Sequence, residues 1–263
     1  MKNLKALLYV LTVAGIIATA KAQYIYYPQQ PSLNVPESLQ GSMGYFTLNL
    51  GLVQPVGMYS STKSTSYGGY AMPGSVVSIS AGLTPEHSNF GVAFLLGNYV
   101  NPFNANQYAA NIGQSDQAPS YAATARDDYV ISNVMAGFYY TVPVKKISFD
   151  FRLLGGAVFC GLPEVAYTAY QYDAVLGTSS YYNWDTEPSL STALAYDAGA
   201  GIRYNFGNMA VMLNADYMYS NPQYNTTEKV TDAAGNESYM NLNGNIKISA
   251  LTYTIGFGYQ LGR

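Results

Sequence analysis

The side chains that could carry out chemistry are few in this chain. His87 is the only histidine and Cys160 the only cysteine among 263 residues. His87 lies in the segment TPEHSN without the base-and-hydroxyl partner set that nucleophilic catalysis needs. Arg126, Asp127 and Asp128 form a charge cluster of the kind found in solvated loops. We therefore expect no catalytic site, no metal site and no cofactor.

A second group of polar residues is placed inside apolar segments. In KISFDFRLLGG (146–156), Asp150 and Arg152 alternate with Phe149, Phe151 and Leu153. Successive side chains of a strand point to opposite faces, so the charges share one face and the apolar residues share the other. Eight polar residues occupy such positions: Asn49, Asp150, Arg152, Asp197, Arg203, Asn214, Asp216 and Gln260.

The elements that position these residues are predicted to be strands, because apolar residues recur with period two along the chain. The last segment, LTYTIGFGYQL (251–261), shows the pattern most cleanly: large apolar side chains alternate with Thr, Gly and Gln. The eight predicted strands cover residues 46–52, 77–83, 90–97, about 129–142, 146–159, 194–206, 211–219 and 251–261.

The connections between the predicted strands alternate in length. Three are tight, at 84–89, 142–146 and 207–209, whereas four long loops lie near 55–74, 98–128, 160–193 and 220–246. Short turns at one end and long loops at the other are typical of an outer-membrane β-barrel. The fold class is therefore all-β, an eight-stranded antiparallel up-and-down transmembrane β-barrel.

Composition favours a barrel with its apolar face toward lipid. The chain is 49% hydrophobic and only 10% charged, with 27 tyrosines and 25 glycines, whereas soluble domains carry about 25% charged residues. Eight rows of large apolar side chains would overfill a lumen of eight strands. The small and polar face therefore lines the lumen, where three aspartates and two arginines predict a hydrogen-bonded ion network, since buried charges must be paired. Aromatic residues near strand ends are expected to form interfacial belts: Phe46, Tyr99, Tyr140, Tyr204, Phe206 and Tyr259.

The N-terminus has the features of a cleaved secretory signal. Lys2 and Lys5 precede an apolar run at 6–20, and AKA (20–22) is a small-residue cleavage site. We expect residues 1–22 to be removed, 23–42 to be an irregular periplasmic segment, and 43–263 to form the barrel. Removal of three of the 12 basic residues leaves nine against 15 acidic ones, a net charge of −6, which argues against a nucleic-acid partner.

AYDAGAGIRYNF (195–206) and the ending YTIGFGYQLGR (253–263) resemble strands of the small outer-membrane β-barrel family of Gram-negative bacteria. The resemblance covers roughly residues 43–263 and implies insertion by the outer-membrane assembly machinery, with outer-membrane lipid and lipopolysaccharide as partners. Many members end on an aromatic residue, whereas this chain ends at Leu261-Gly262-Arg263. The family's lipid A-modifying enzymes use a histidine at the outer rim, while His87 falls in a predicted periplasmic turn.

The loop at 161–189 is rich in aromatic residues, which binding surfaces favour. It provides a candidate extracellular surface for an unidentified ligand: Tyr167, Tyr170, Tyr172, Tyr181, Tyr182 and Trp184. The alternative is that these residues extend the neighbouring strands and pack on one another. The sequence thus predicts a monomeric barrel with a plugged polar lumen and a structural or surface-interaction role. A small-solute channel and an accessory barrel of a secretion system stand as alternatives.

Overall fold

The computed structural model describes residues 44–63, 68–85, 88–115, 121–173 and 178–261. The predicted signal peptide (1–22), the lead-in (23–42) and His87 lie outside these residues. The elements, in chain order, are β1 (Gly44–Pro55), β2 (Gly74–Leu83), β3 (Phe90–Asn101), α1 (Ala105–Ser115), β4 (Tyr121–Ala125), β5 (Tyr129–Val144), β6 (Ile147–Gly161), β7 (Val165–Asp173), β8 (Thr178–Thr186), β9 (Leu190–Phe206), β10 (Met209–Ser220), β11 (Gln223–Thr231), β12 (Glu237–Asn245) and β13 (Ile248–Leu261).

Eight of the strands close into a barrel in the order β1-β13-β10-β9-β6-β5-β3-β2. Every pair is antiparallel, and each barrel strand pairs with the barrel strands before and after it in sequence. The first and last strands close the ring with a register that places Leu48 opposite Phe257. All eight predicted strands are therefore confirmed, and closure satisfies the backbone groups that hydrocarbon cannot.

The barrel has a turn end and a loop end. At the turn end, β5 joins β6 through Lys145, and β9 joins β10 through Gly207, both of which have positive φ angles of 57° and 63°. Such left-handed residues are what two-residue hairpin turns require. The four long connections, 56–73, 102–128, 162–189 and 221–247, all emerge at the opposite end.

The barrel strands expose their apolar residues and bury their polar ones. Phe151, Leu153 and Phe257 are 51%, 62% and 59% exposed, whereas Asp150 is fully buried. A water-soluble barrel would show the reverse, because exposed apolar surface of this extent is unfavourable in water. A belt of outward-facing Phe, Leu, Val, Ile and Tyr is the surface that lipid solvates.

One predicted belt residue is placed differently. Tyr99 is 3% exposed and lies inside the lumen, where its hydroxyl accepts a hydrogen bond from Asn133 Nδ2 at 2.9 Å. The expectation that it lies at the membrane interface was wrong. The alternation of β3 itself explains the outcome: Phe90, Val92 and Phe94 face outward, so odd-numbered residues face the lumen.

Three of the four long connections, 102–128, 162–189 and 221–247, contain regular secondary structure. Five strands within them form a second sheet in the order β12-β11-β8-β7-β4, and α1 packs against β4. This sheet, called here the loop sheet, was not predicted, because its strands lack the continuous apolar alternation that lipid imposes on the barrel. No helix among the described residues is long and apolar enough to cross a membrane.

Candidate functional site in the lumen and the loop sheet

Two ion pairs lie inside the barrel. Arg152 Nη2 is 2.5 Å from Asp216 Oδ1, and Arg203 Nη2 is 3.2 Å from Asp150 Oδ1. The residues come from β6, β9 and β10, where they occupy the inward positions of the alternation. All four are buried. The Asp150 carboxylate also accepts a hydrogen bond from Thr141 Oγ1 at 2.6 Å, which ties β5 to the same cluster.

Glycines of β9 make room for this cluster. The register places Gly199 between Arg152 on one side and Asp216 on the other, so the ion pair passes over a residue with no side chain. A methyl group at Gly199 would overlap the Asp216 carboxylate, and one at Gly201 would overlap the Asn214 amide. At these two positions, the side chains of Asp216 and Asn214 therefore fill the space that the glycines leave.

The fifth lumenal charge has no ion pair among the described residues. Asp197 is 1% exposed, and neither of its carboxylate oxygens has a hydrogen-bond partner in the same part of the chain. Its charge lies within electrostatic range of Asp216 and Arg152. Three aspartates of the predicted set therefore face two arginines, which leaves one carboxylate of the set uncompensated.

The uncharged polar residues form hydrogen bonds at other levels of the lumen. Asn49 Nδ2 donates to Ser80 Oγ at 3.2 Å, and Asn214 Nδ2 donates to Asn49 Oδ1 at 3.4 Å. Gln260 donates to Asn205 near the turn end. All eight polar residues expected in the lumen are buried there, and all except Asp197 make at least one hydrogen bond or ion pair.

Large side chains occupy much of the remaining lumen. The rings of Tyr45 and Tyr139 meet edge to face at 5.5 Å near the turn end, and the Arg203 guanidinium lies 5.0 Å from the centre of the Tyr45 ring. Toward the loop end, methionines and aromatic residues replace the charges, and all of them are buried: Tyr59, Tyr99, Tyr129, Met135 and Met218. Met212 is also buried but lies opposite Arg203, nearer the turn end. The alternation of β10 predicts Met212 and Met218 on the inward face, but the expectation that small residues line the lumen did not allow for so many large side chains.

The aromatic residues of the loop sheet divide between an internal cluster and the solvent. Tyr167 and Trp184 stack in parallel at 5.6 Å, and Tyr108 of α1 contacts Tyr167 at 6.0 Å. Tyr182 is partly buried, while Tyr181 is 46% exposed. The side chains of Tyr170 and Tyr172 are outside the described set. The aromatic surface is thus divided rather than continuous, and Tyr167 and Trp184 pack inside the sheet.

A carboxylate is buried beside this cluster. Tyr167 donates a hydrogen bond to Glu228 Oε1 at 3.2 Å. Burial raises the pKa of Glu228 above its ordinary value, against the lowering effect of the Tyr167 hydroxyl. Burial also raises the pKa of Tyr108 to about 12. The inner face of the loop sheet is therefore a packed aromatic layer around a titratable carboxyl group.

The outer face of the loop sheet carries a charge cluster. Arg126 pairs with Glu164 and lies 3.3 Å from Asp185 Oδ2. Arg126 is more than half exposed, so the contribution of the cluster to stability is small. Among the described residues, no group of three or more His, Cys, Asp or Glu side chains is arranged to hold a metal ion.

No protein-family model and no curated protein matches the chain. Several solved structures are similar to it at low identity, including the following three. Neisserial surface protein A is 14% identical over 84% of this chain and 98% of its own, with a TM-score of 0.40. A major outer membrane protein from Thermus thermophilus is 12% identical over 83% and 99%, with a TM-score of 0.44. Ail, the attachment invasion locus protein of Yersinia pestis, is 15% identical over 83% and 99%, with a TM-score of 0.39.

Strand order, closure and the outward apolar belt decide the architecture independently of these similarities. The protein is an eight-stranded transmembrane β-barrel. Its lumen holds a polar network, and its long connections fold into a sheet at one end.

Proposed function

We propose that the protein is an outer-membrane barrel with a plugged lumen that holds a folded interaction surface outside the cell. The observation that carries this proposal is the loop sheet. A barrel needs only short connections to close, yet the connections at one end are folded here into five strands and a helix. Function commonly resides on connections that a rigid scaffold positions.

The lumen supports a structural role over a transport role. Ion pairs connect β6 with β9 and β10, and aromatic and methionine side chains fill the space at either side of them. A channel for small solutes needs a continuous open path, whereas the polar groups of this network bind one another and large side chains lie on both sides of them. The proposed role is therefore non-enzymatic and non-conducting.

Orientation follows from the connection lengths. Outer-membrane barrels have short periplasmic turns and longer extracellular loops, so the turn end faces the periplasm and the loop sheet faces outward. Export through a cleaved signal at residues 1–22 and insertion by the outer-membrane assembly machinery belong to the same proposal. So does a monomeric barrel surrounded by outer-membrane lipid and lipopolysaccharide.

Cysteine labelling on intact cells tests the proposal. The wild-type chain is a clean background because its only cysteine, Cys160, is buried. Tyr181→Cys places a thiol on an exposed site of β8, and Asn208→Cys places one in the β9–β10 turn. A membrane-impermeant maleimide should label residue 181 on intact cells, and residue 208 only after the outer membrane is permeabilised. Labelling in the opposite pattern, or at neither site before permeabilisation, would overturn the proposal.

Conductance separates the plugged barrel from a channel. Folded wild-type protein in planar lipid bilayers should give no current steps above the background of protein-free membranes. Reproducible steps whose size depends on the ion would show an open path and would replace the structural role with transport.

A further inference from the structure

One face of the β11–β12 ribbon is a ladder of side-chain amides. The register places Gln223 opposite Asn245, Asn225 opposite Asn243, and Thr227 opposite Asn241. All five amides are exposed. We call Gln223, Asn225, Asn241, Asn243 and Asn245 the amide face. Part of it borders a groove of about 760 Å³.

The amide face continues the lipid-facing surface of the barrel. Exposed and buried residues alternate from β10 into β11 without interruption. Asn221 and Gln223 therefore lie on the same outward face as Tyr217 and Tyr219. Ser220 and Ile248 are the last paired residues of the barrel at this point. The amide face therefore begins directly beyond the membrane-embedded strands.

A single cation lies at the boundary between the two surfaces. Lys247 is exposed and immediately precedes β13, and no carboxylate pairs with it in the described part of the chain. The ribbon's other lysine, Lys229, is neutralised by Glu237 at 2.5 Å, far from the barrel. Asn245 Nδ2 donates to Asn221 Oδ1 at 3.1 Å, which links the amides across the same boundary.

Moving away from the membrane, the outward surface thus changes from apolar to aromatic, then to one cation, then to uncharged amides. Tyr196 and Tyr219, stacked at 5.1 Å, form the aromatic level. A lipid whose acyl chains, phosphate and sugars follow one another in that order matches the apolar level, the cation and the amides. Amides both donate and accept hydrogen bonds, as sugar hydroxyls do, and a lysine is a common partner of phosphate.

We propose that the amide face and Lys247 bind the headgroup of a phosphorylated glycolipid of the outer leaflet, with lipopolysaccharide as the source. This inference rests on the proposed outward orientation of the loop sheet. Lys247 contacts the phosphate nearest the acyl chains, and the amides contact the sugars beyond it.

Binding of labelled lipopolysaccharide to the folded, detergent-solubilised full chain tests the inference. One form of the lipid carries its complete core oligosaccharide, and the other is truncated to the acylated, phosphorylated base. The wild type should bind the complete form more tightly. Asn225→Ala/Asn243→Ala should weaken binding of the complete form about tenfold, because two hydrogen bonds to the sugars are lost, and should leave binding of the truncated form unchanged. Lys247→Gln should weaken both.

The matched control is Ser238→Ala/Met240→Ala, on exposed positions of the other face of β12, which should bind both forms like the wild type. Heat-modifiable gel mobility checks that each variant is folded. Equal affinity for the two forms, or no effect of the Asn225/Asn243 pair, would overturn the inference. A change of oligomeric state in that variant instead of lipid affinity would show a protein interface and would also overturn it. If residue 181 is labelled on intact cells while lipid binding fails, only this inference fails.

Discussion

Arg152 of β6 and Asp216 of β10 form a buried ion pair, 2.5 Å between Nη2 and Oδ1, across the intervening strand β9. The strand between them contributes Gly199 at the crossing point. The pair therefore connects two strands that share no backbone hydrogen bonds, and it does so only because one residue of the strand between them lacks a side chain.

Removal of one partner of this pair should destabilise the barrel strongly. Arg152→Met leaves Asp216 buried without a cation, and breaking a buried pair in this way costs about 3–5 kcal/mol. Arg152→Met/Asp216→Leu should lose much less, because no charge is left unpaired. Urea unfolding in phospholipid vesicles measures both. A double variant as unstable as the single one would show that the pair does not act as a unit.

Neutralising Asp197 should have the opposite effect. Its carboxylate is buried without a hydrogen-bond partner or an ion pair among the described residues, and burying an unpaired charge costs far more than burying a neutral amide. Asp197→Asn should therefore raise the free energy of unfolding, while the matched Asp150→Asn should lower it, because Asp150 pairs with Arg203. The same urea titration compares the two. Equal losses in both variants would contradict an uncompensated charge at residue 197.

The lipid-facing surface should tolerate charge only near its edges. Leu153 lies midway along β6 and faces outward, whereas Phe206 is the last residue of β9 at the turn end. Leu153→Arg should lower the free energy of unfolding by about 2–4 kcal/mol, and Phe206→Arg by about 0–1 kcal/mol, because the cost of placing a charge in lipid falls toward the membrane interface. Unfolding in vesicles of defined thickness measures the gradient. Similar losses of unfolding free energy in the two variants would contradict the inference that Leu153 lies deeper in the membrane than Phe206.

The loop sheet should respond to pH through Glu228. Burial raises the pKa of Glu228 in the folded sheet above its unfolded value, so the folded state binds the proton more tightly. Stability conferred by the protonated form is full below the unfolded pKa of about 4.5 and is lost as the pH rises through the folded pKa. Hydrogen-exchange protection of β11, corrected for intrinsic rates, should therefore fall as the pH rises above about 4.5.

Glu228→Gln is the matched variant for this pH dependence. The uncharged amide keeps a hydrogen-bond acceptor for Tyr167 and cannot ionise. Protection of β11 in this variant should be higher than in the wild type at neutral pH and should not change across the same range. A wild-type profile that rises with pH would contradict the sign of the shift.

The barrel was predictable because the solvent imposes its pattern. Because lipid lies outside the barrel and polar groups lie in its lumen, apolar and polar residues alternate along every membrane strand. The face on which Phe149 or Asp150 lies can therefore be predicted from its sequence neighbours alone. The same rule, applied to the full length of β3, would have placed Tyr99 in the lumen. Tyr99 was assigned to the interface because it is aromatic, although its position in the alternation of β3 predicts the lumen more reliably.

The loop sheet was not predictable in this way. β11 pairs with β8, and β4 pairs with β7, across 40 or more residues of chain, and these strands have water on one face. Alternating polar residues such as Asn241, Asn243 and Asn245 bury little apolar surface, so their pattern alone does not predict a strand or its pairing partner. The partners of the lumenal charges were open for a related reason: the choice between Asp197 and Asp216 depends on barrel register, which no local pattern specifies.

The pairing of β1 with β13 has a consequence for the order of assembly. These strands are separated by nearly the whole barrel sequence, and the entropy lost on closing a loop grows with its length. Prior pairing of the other strands shortens the loop that ring closure must close, so we expect this contact to form last. Until then, both terminal strands present unpaired amides and carbonyls to hydrocarbon. Substitutions in β1 or β13 that leave the finished barrel stable can therefore still slow its completion, and their effect is seen in folding rates rather than in unfolding equilibria.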